Sequence, residues 1–207
     1  MNMHRTTAVK LLASLSVVGT AAAVAGLGTF GTFDSTTTAS QTVASGTVVV
    51  ALGSTGASTN RLTVNASGLV PTDTVQRSFD LINNGSQDFA SVALTTTATA
   101  SSLLDTDATN GLQMVIDRCS NAWTEAGVSP AFTYTCGGGG STSTVVASRA
   151  VIGSGIAMSN LGSLTHGATD HLRITLTLPS TADNTFQNKT STIQYSFTAT
   201  QRNGTNQ

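Results

Sequence analysis

Leu172-Arg173-Ile174-Thr175-Leu176-Thr177-Leu178 and Ile193-Gln194-Tyr195-Ser196-Phe197-Thr198-Ala199 each alternate apolar and polar residues from end to end. A repeat of two puts every second side chain on one side of an extended chain. Both stretches therefore read as strands with one dry and one wet face, and their β-branched Ile and Thr suit a pleated surface. Outward from them the pattern recurs. Val75, Phe79 and Leu81 form a row with Arg77 as its one polar intruder, Val48, Val50 and Leu52 form another, and Val92 with Leu94 a third. Leu112 to Ile116 reads as a strand leading to Cys119, and Phe132 with Tyr134 as one leading to Cys136.

Turn chemistry parts these runs. Asn83-Asn84-Gly85-Ser86 follows the Val75 row and is expected to supply the positive φ of a tight reversal. Pro179 ends the Leu172 strand because it has no N–H for a ladder. Gly137 to Gly140 is expected to be flexible, Gly153-Ser154-Gly155 to be a turn that breaks strands, and Ala182 to Phe186 to allow a single helical turn. Beyond the N-terminus there is no sustained helical period. Many short strands parted by Gly, Asn and Ser predict an all-β chain, a jelly-roll-like β-sandwich over residues 47–202 with a short tail at 203–207.

Met1 to Lys10 is polar and carries Arg5 and Lys10, and Leu11 to Gly28 is uncharged and rich in Leu, Val, Ala and Gly. A basic start, an apolar centre and a small-residue exit predict an export signal over residues 1–31 and a secreted or cell-surface protein. The alternative is a retained anchor, since about 18 apolar residues just span a bilayer. The Ala, Gly and Ser content and the lack of a basic stop-transfer cluster favour cleavage, leaving membrane contact only to the uncleaved signal. Without the signal the chain has seven basic and ten acidic residues, and Lys189 is its only lysine. That leaves no basic stripe for phosphate backbones and excludes nucleic acid as a partner. Charged residues make up 9% of the sequence while threonine makes up roughly a fifth. Such a surface has little charge with which to block edge-to-edge strand pairing. Cys119 and Cys136, an even count in an exported chain, predict a disulfide.

Several stretches carry a family pattern. Gly28-Thr29-Phe30-Gly31-Thr32-Phe33-Asp34-Ser35 resembles the signal exit of TasA and camelysin-type proteins, exported bacterial proteins cut by a SipW-type signal peptidase. Ala44-Ser45-Gly46-Thr47, Asp73 to Ser86, Leu178 to Gln187 and Ile193 to Gln201 resemble later motifs of that family in the same order. Residues 101–158 have no counterpart in the resemblance. It implies cleavage between Gly31 and Thr32, a jelly-roll fold, and self-association into extracellular or biofilm-matrix fibres. In those fibres the freed segment 32–46 of one subunit adds as a strand to the next, with Phe33 and Val43 as its apolar anchors. The alternative for that segment is a polar tail or an edge strand within its own subunit.

The resemblance also implies a zinc site, since some members of that family are described as metallo-endopeptidases. His166, Asp170 and His171 are the candidates, yet their spacing is not that of H-E-x-x-H, and Glu125, the only glutamate, lies far away. No metal or other cofactor is expected. Asp105, Asp107, Asn110 and Gly111 faintly resemble calcium ligands without the closing Glu, and read as an acidic surface loop. There is no G-x-S-x-G, Gly137 to Gly140 lacks the Lys-Ser/Thr of a phosphate loop, and four sequons (Asn65, Asn84, Asn188, Asn203) are the chance yield of a Ser/Thr-rich chain. Trp123 either packs on the sandwich or displays an aromatic to a ligand. The leading expectation is a non-enzymatic fibre subunit. The alternatives are a camelysin-like secreted metallo-endopeptidase, or a monomeric surface-binding module using Trp123 and the Cys119–Cys136 loop.

Overall fold

The computed structural model describes residues 47–63 and 68–204. The expected signal segment, the segment 32–46 and Asn65 lie outside these residues. Five strands form one sheet in the spatial order β1 (Val50–Leu52), β2 (Thr74–Asn83), β9 (Thr169–Thr177), β4 (Gln113–Cys119) and β7 (Thr142–Ala150). A second sheet runs β10 (Thr192–Gln201), β3 (Phe89–Ala100), β8 (Gly153–Ala157), and β5 (Trp123–Val128) with β6 (Ala131–Cys136) makes a separate hairpin. Every pairing is antiparallel. β2 pairs with β9 in one sheet while their chain neighbours β3 and β8 pair in the other. That nested pairing is a long hairpin wrapped around a core, the jelly-roll-like wrap expected from the sequence.

The alternation sets the core. Phe79, Leu81, Met114, Ile116, Leu172 and Ile174 from the five-stranded sheet meet Val92, Leu94 and Ile156 from the other. Phe79 and Phe197 close the gap between the sheets with ring centroids 5.3 Å apart. Each aliphatic side chain so buried contributes about 1.5–3 kcal/mol. On β10 the row Ile193, Tyr195, Phe197, Ala199 packs against this core but stays partly exposed, because β10 is an edge strand. The Val48, Val50, Leu52 row also packs on the core, although only Val50–Leu52 is strand.

Two local expectations change. The Asn83–Ser86 turn has no residue at positive φ. It joins strands of different sheets, so no hairpin twist has to be matched, and the Asn83 side chain organises it instead. Fully buried, Asn83 donates through Nδ2 to the Gln87 and Leu164 carbonyls (3.1 and 3.4 Å) and accepts the Gly85 N–H (3.0 Å). Gly153-Ser154-Gly155 does not break a strand but starts β8, where Gly155 at φ +60° accompanies a register shift against β3. Arg77 stays in the row of Phe79 and Leu81, where the alternation had it. It is 4% exposed, and burial holds its guanidinium below its ordinary range. The single turn near Phe186 is a 3-10 turn, Asn184–Phe186, capped by the Asp183 carboxylate. A short helix, α1 (Leu103–Thr106), had no periodic signal because it is one turn long, set by the Ser102–Asp105 capping box. Among the described residues no helix is long and apolar enough to cross a membrane.

Candidate functional site

The loop between the cysteines is the β5–β6 hairpin, lying against the side of the five-stranded sheet away from the core. The Cys119–Cys136 disulfide ties the end of β6 to the end of β4, with Cα atoms 5.5 Å apart. Trp123 packs rather than displays. It is 9% exposed, its Nε1–H donates to the His171 carbonyl (3.0 Å), and the Arg173 guanidinium lies 4.4 Å from its ring centre. Arg173 also donates to Asp117 (2.8 Å) and to the Tyr134 carbonyl (3.2 Å), so one cation joins β9, β4 and the hairpin. Further along, Glu125 accepts from Arg61 through both oxygens (2.9 and 2.6 Å) and from the Tyr134 hydroxyl (2.8 Å). The Arg61 hydrogen bonds hold the Glu125 carboxyl below its usual range. Arg61 in turn stacks 4.6 Å from the Phe132 ring centre.

The opposite flank of the sandwich is built differently. β7 ends the five-stranded sheet and β8 ends the three-stranded one. Between them runs a groove of about 360 Å³, lined among others by Val145, Val146, Arg149 and Ile156. One end of the β7 edge is closed, since the Val145 carbonyl accepts from the Ser159 N–H (3.1 Å) and the Thr144 carbonyl from the Asn160 side chain (2.8 Å). Beyond that point the edge of β7 away from β4 has no strand beside it among the described residues. The exposed Arg149 lies over Gly153, where a Cβ would come within 2.5 Å of its Nη2. Glycine here makes the room that the guanidinium occupies, and no acidic group among the described residues pairs with it.

The three zinc candidates do not converge. Asp170 and His171 are adjacent on β9 and therefore point to opposite faces. The Asp170 carboxylate is fully buried and engaged by the Gly162 and Ser163 N–H groups (2.9 and 2.8 Å) and by Arg118 (2.6 Å). His171 faces the hairpin side, with Nδ1 2.7 Å from Asp80 on β2. His166 sits in the preceding loop, its backbone N–H and Nδ1 both 2.9 Å from the same Asp88 oxygen. Those hydrogen bonds, the backbone one first, draw the Asp88 carboxyl below its usual range. The carboxylates near α1 are likewise occupied locally. Asp105 takes the Ser102 N–H and the Ser101 and Ser191 hydroxyls, and Asp107 takes the Thr109 and Asn110 N–H groups.

The description of the camelysin metallo-endopeptidase family matches residues 9–206, nearly the whole sequence. The chain belongs to the camelysin family. No curated protein matches it. The match includes residues 101–158, which the motif resemblance left unassigned, and so the disulfide hairpin lies within the camelysin-type domain.

The family description implies a metal, and the described side chains do not fit one. No group of three His, Cys, Asp or Glu residues close enough to hold an ion occurs among the described residues. The one glutamate, which a zinc peptidase would need as a free base, is committed to Arg61 and Tyr134. Gly31, Thr32, Phe33 and Val43, the residues expected at the cleavage site and on the donor segment, lie outside the described residues.

Proposed function

We propose that this camelysin-family chain is an exported structural subunit, cut between Gly31 and Thr32 by a SipW-type peptidase, which self-associates into extracellular fibres or cell-surface matrix by strand addition. The observation that carries the reading is the state of the sheet edges. β10 is ten residues long, sits at an edge and contains no charged residue or proline. β7 and β8 end their sheets side by side with a groove between them that both apolar and polar side chains line. Soluble β proteins ordinarily blunt such edges with lysine, proline or a covering loop. An edge left open accepts a partner strand through main-chain hydrogen bonds, with pockets for alternate side chains setting specificity.

The test is secretion of the full chain by a host with its own signal peptidases. N-terminal sequencing of the product is expected to start at Thr32, and electron micrographs to show fibres. A version lacking residues 32–43 is expected to stay monomeric. Monomers from both, across concentration, pH and salt, would overturn the reading. Stoichiometric zinc with chelator-sensitive peptide cleavage, lost in His166→Ala or His171→Ala, would instead make the chain a peptidase.

A further inference from the structure

We infer that β10 pairs antiparallel with β10 of a second copy, about a two-fold axis at Ser196, and that this contact joins assembled subunits side by side. The inference rests on the fibre reading above, but it uses a different edge and needs no donated segment.

β10 is the longest sheet edge among the described residues. β1 has three residues and β8 five, and one end of the β7 edge is closed by Ser159 and Asn160. β10 is also regular. Thr192 faces Ala100 but Ile193 faces Ala98, and Thr200 faces Ser91 but Gln201 faces Phe89. Both extra residues belong to β3, so β10 itself carries no bulge. Bulges, lysine and proline are devices that protect an edge, and β10 has none of them. Just past β10, the Arg202 N–H donates to the Asp88 carbonyl on the β3 side. Main-chain groups alternate along an antiparallel strand, so those of Ile193, Tyr195, Phe197 and Ala199 point to the open side.

The sequence of β10 selects a second copy as the partner. With Ser196 on the axis, Tyr195 lies opposite Phe197, Ile193 opposite Ala199, Gln194 opposite Thr198, and Thr192 opposite Thr200. Apolar then meets apolar and polar meets polar throughout, and such cross-strand pairs are what stabilises a sheet. An axis at Phe197 would set Ile193 against Gln201, and one at Tyr195 would leave Ala199 and Thr200 beyond the partner strand. The residues that meet in the apolar row are also those whose N–H and C=O groups face outward, so one register completes both the packing and the ladder. In an isologous contact a charge near the axis would meet its own copy. Thr192 to Gln201 carries none, and Lys189 and Arg202 lie outside the paired stretch. The row Ile193, Tyr195, Phe197, Ala199, partly exposed in one subunit, gains cover from the partner's row. One strand pairing is small beside the interface of a stable dimer, so an isolated subunit stays monomeric. Along a fibre the contact repeats, and its effect accumulates.

The experiment is cysteine cross-linking of the secreted full-length protein. Opposed Cα atoms at such a non-hydrogen-bonded pair lie about 4.5 Å apart, within disulfide reach. Ser196→Cys is therefore expected to give a covalent dimer under mild oxidation. Thr97→Cys, also exposed but on β3, is expected to give none. Gln194→Cys and Thr198→Cys are expected to cross-link to each other and not to themselves. All four positions are exposed, so circular dichroism should report the wild-type fold. Charge supplies a second arm. Fibres of Ser196→Lys and fibres of Ser196→Glu are each expected to lie singly in electron micrographs, and to associate laterally once the two preparations are mixed.

Ser196→Cys that cross-links no more than Thr97→Cys would overturn the pairing. Cross-linking of Ser196→Cys that appears only after residues 32–43 are deleted would mean that the chain's own N-terminal segment covers this edge, and would also overturn it. Cross-linking at Ser196 with lateral association unchanged in the Lys and Glu fibres would overturn the side-by-side role. Wild-type protein that forms no fibres, with Ser196→Cys still cross-linking, would overturn the proposed function and leave the β10 pairing standing.

Discussion

The sandwich has two outward faces, and they are finished in opposite ways. β2, β4 and β9 of the five-stranded sheet turn Asp80, Asp117, His171 and Arg173 outward, and the β5–β6 hairpin lies over that side. β3, β8 and β10 of the other sheet contain no charged residue, and Thr95, Thr97, Thr99, Ser196, Thr198 and Thr200 alternate with the core row. Covering a face removes its charges from water, so each must find a partner, and Arg61–Glu125 and Arg173–Asp117 are those partners. A bare hydroxyl face keeps its hydration and asks for no network. The charges beneath the hairpin are therefore held in pairs.

Removing the roof's anchor gives the largest expected effect. Trp123→Ala deletes a large buried side chain, takes away the donor to the His171 carbonyl and leaves Arg173 without its ring. It is expected to cost about 3–4 kcal/mol in urea unfolding. A loss below about 1 kcal/mol would show that the hairpin is not part of the cooperative unit, and the contrast between the two faces would then be one of sequence alone.

Opening the disulfide comes next. Replacing both cysteines by serine frees a short loop, worth about 3 kcal/mol in the chain-entropy account. Hydrogen exchange is expected to report the loss locally, with hairpin amides opening while those of Leu172 and Ile174 stay protected. Uniform loss across both sheets would mean that the roof and the core fold as one.

How far the sequence foretold these faces follows from the range of the interactions. Alternation is local, so the Leu172 and Ile193 strands, their buried rows and the fold class were readable, and two cysteines were enough for the bridge. The roof was not readable, because Arg61 and Glu125 stand 64 residues apart and no local pattern joins them. Asp170 reads in isolation as a weak metal candidate in a polar turn, although continuing the Leu172 alternation back two positions places it on the core face, opposite His171. Gly153 to Gly155 misled for the reverse reason. Glycine signals a turn in isolation, whereas here it serves the close approach of Arg149 and a bulge. The groove went unseen because an edge is defined by the strands that fail to arrive.

Acid sharpens the comparison at intermediate size. The folded Glu125 carboxyl titrates below its unfolded value because Arg61 and Tyr134 donate to it. Its stabilisation is thus complete above the unfolded carboxylate range and is lost as pH falls through the lower folded value. Unfolding measured from pH 6 down to pH 3 is expected to show wild type losing about 1 kcal/mol more than Glu125→Gln, which lacks this proton. Other carboxyls with lowered values, such as Asp105, contribute equally to both proteins and cancel in the difference. Parallel curves would mean that the Arg61 pair is no stronger in the fold than in water.

The smallest effects belong to the bare face. Thr97→Ala and Thr198→Ala remove exposed hydroxyls that hold no network together, and each is expected to change the monomer's stability by less than about 0.5 kcal/mol. Thr97→Lys should be tolerated equally, because a charge introduced there stays in water. The same three changes made in dilute monomer and in assembled protein separate two meanings of bareness. If all three are neutral in both states, the face is simply solvated surface, left uncharged because no roof required charges. If Thr97→Lys is neutral in the monomer but weakens lateral association of fibres, the lack of charge serves contacts between subunits. A cost above about 1 kcal/mol in the monomer would mean that something within the subunit already covers this face, and the contrast with the roofed side would fail at its simplest point.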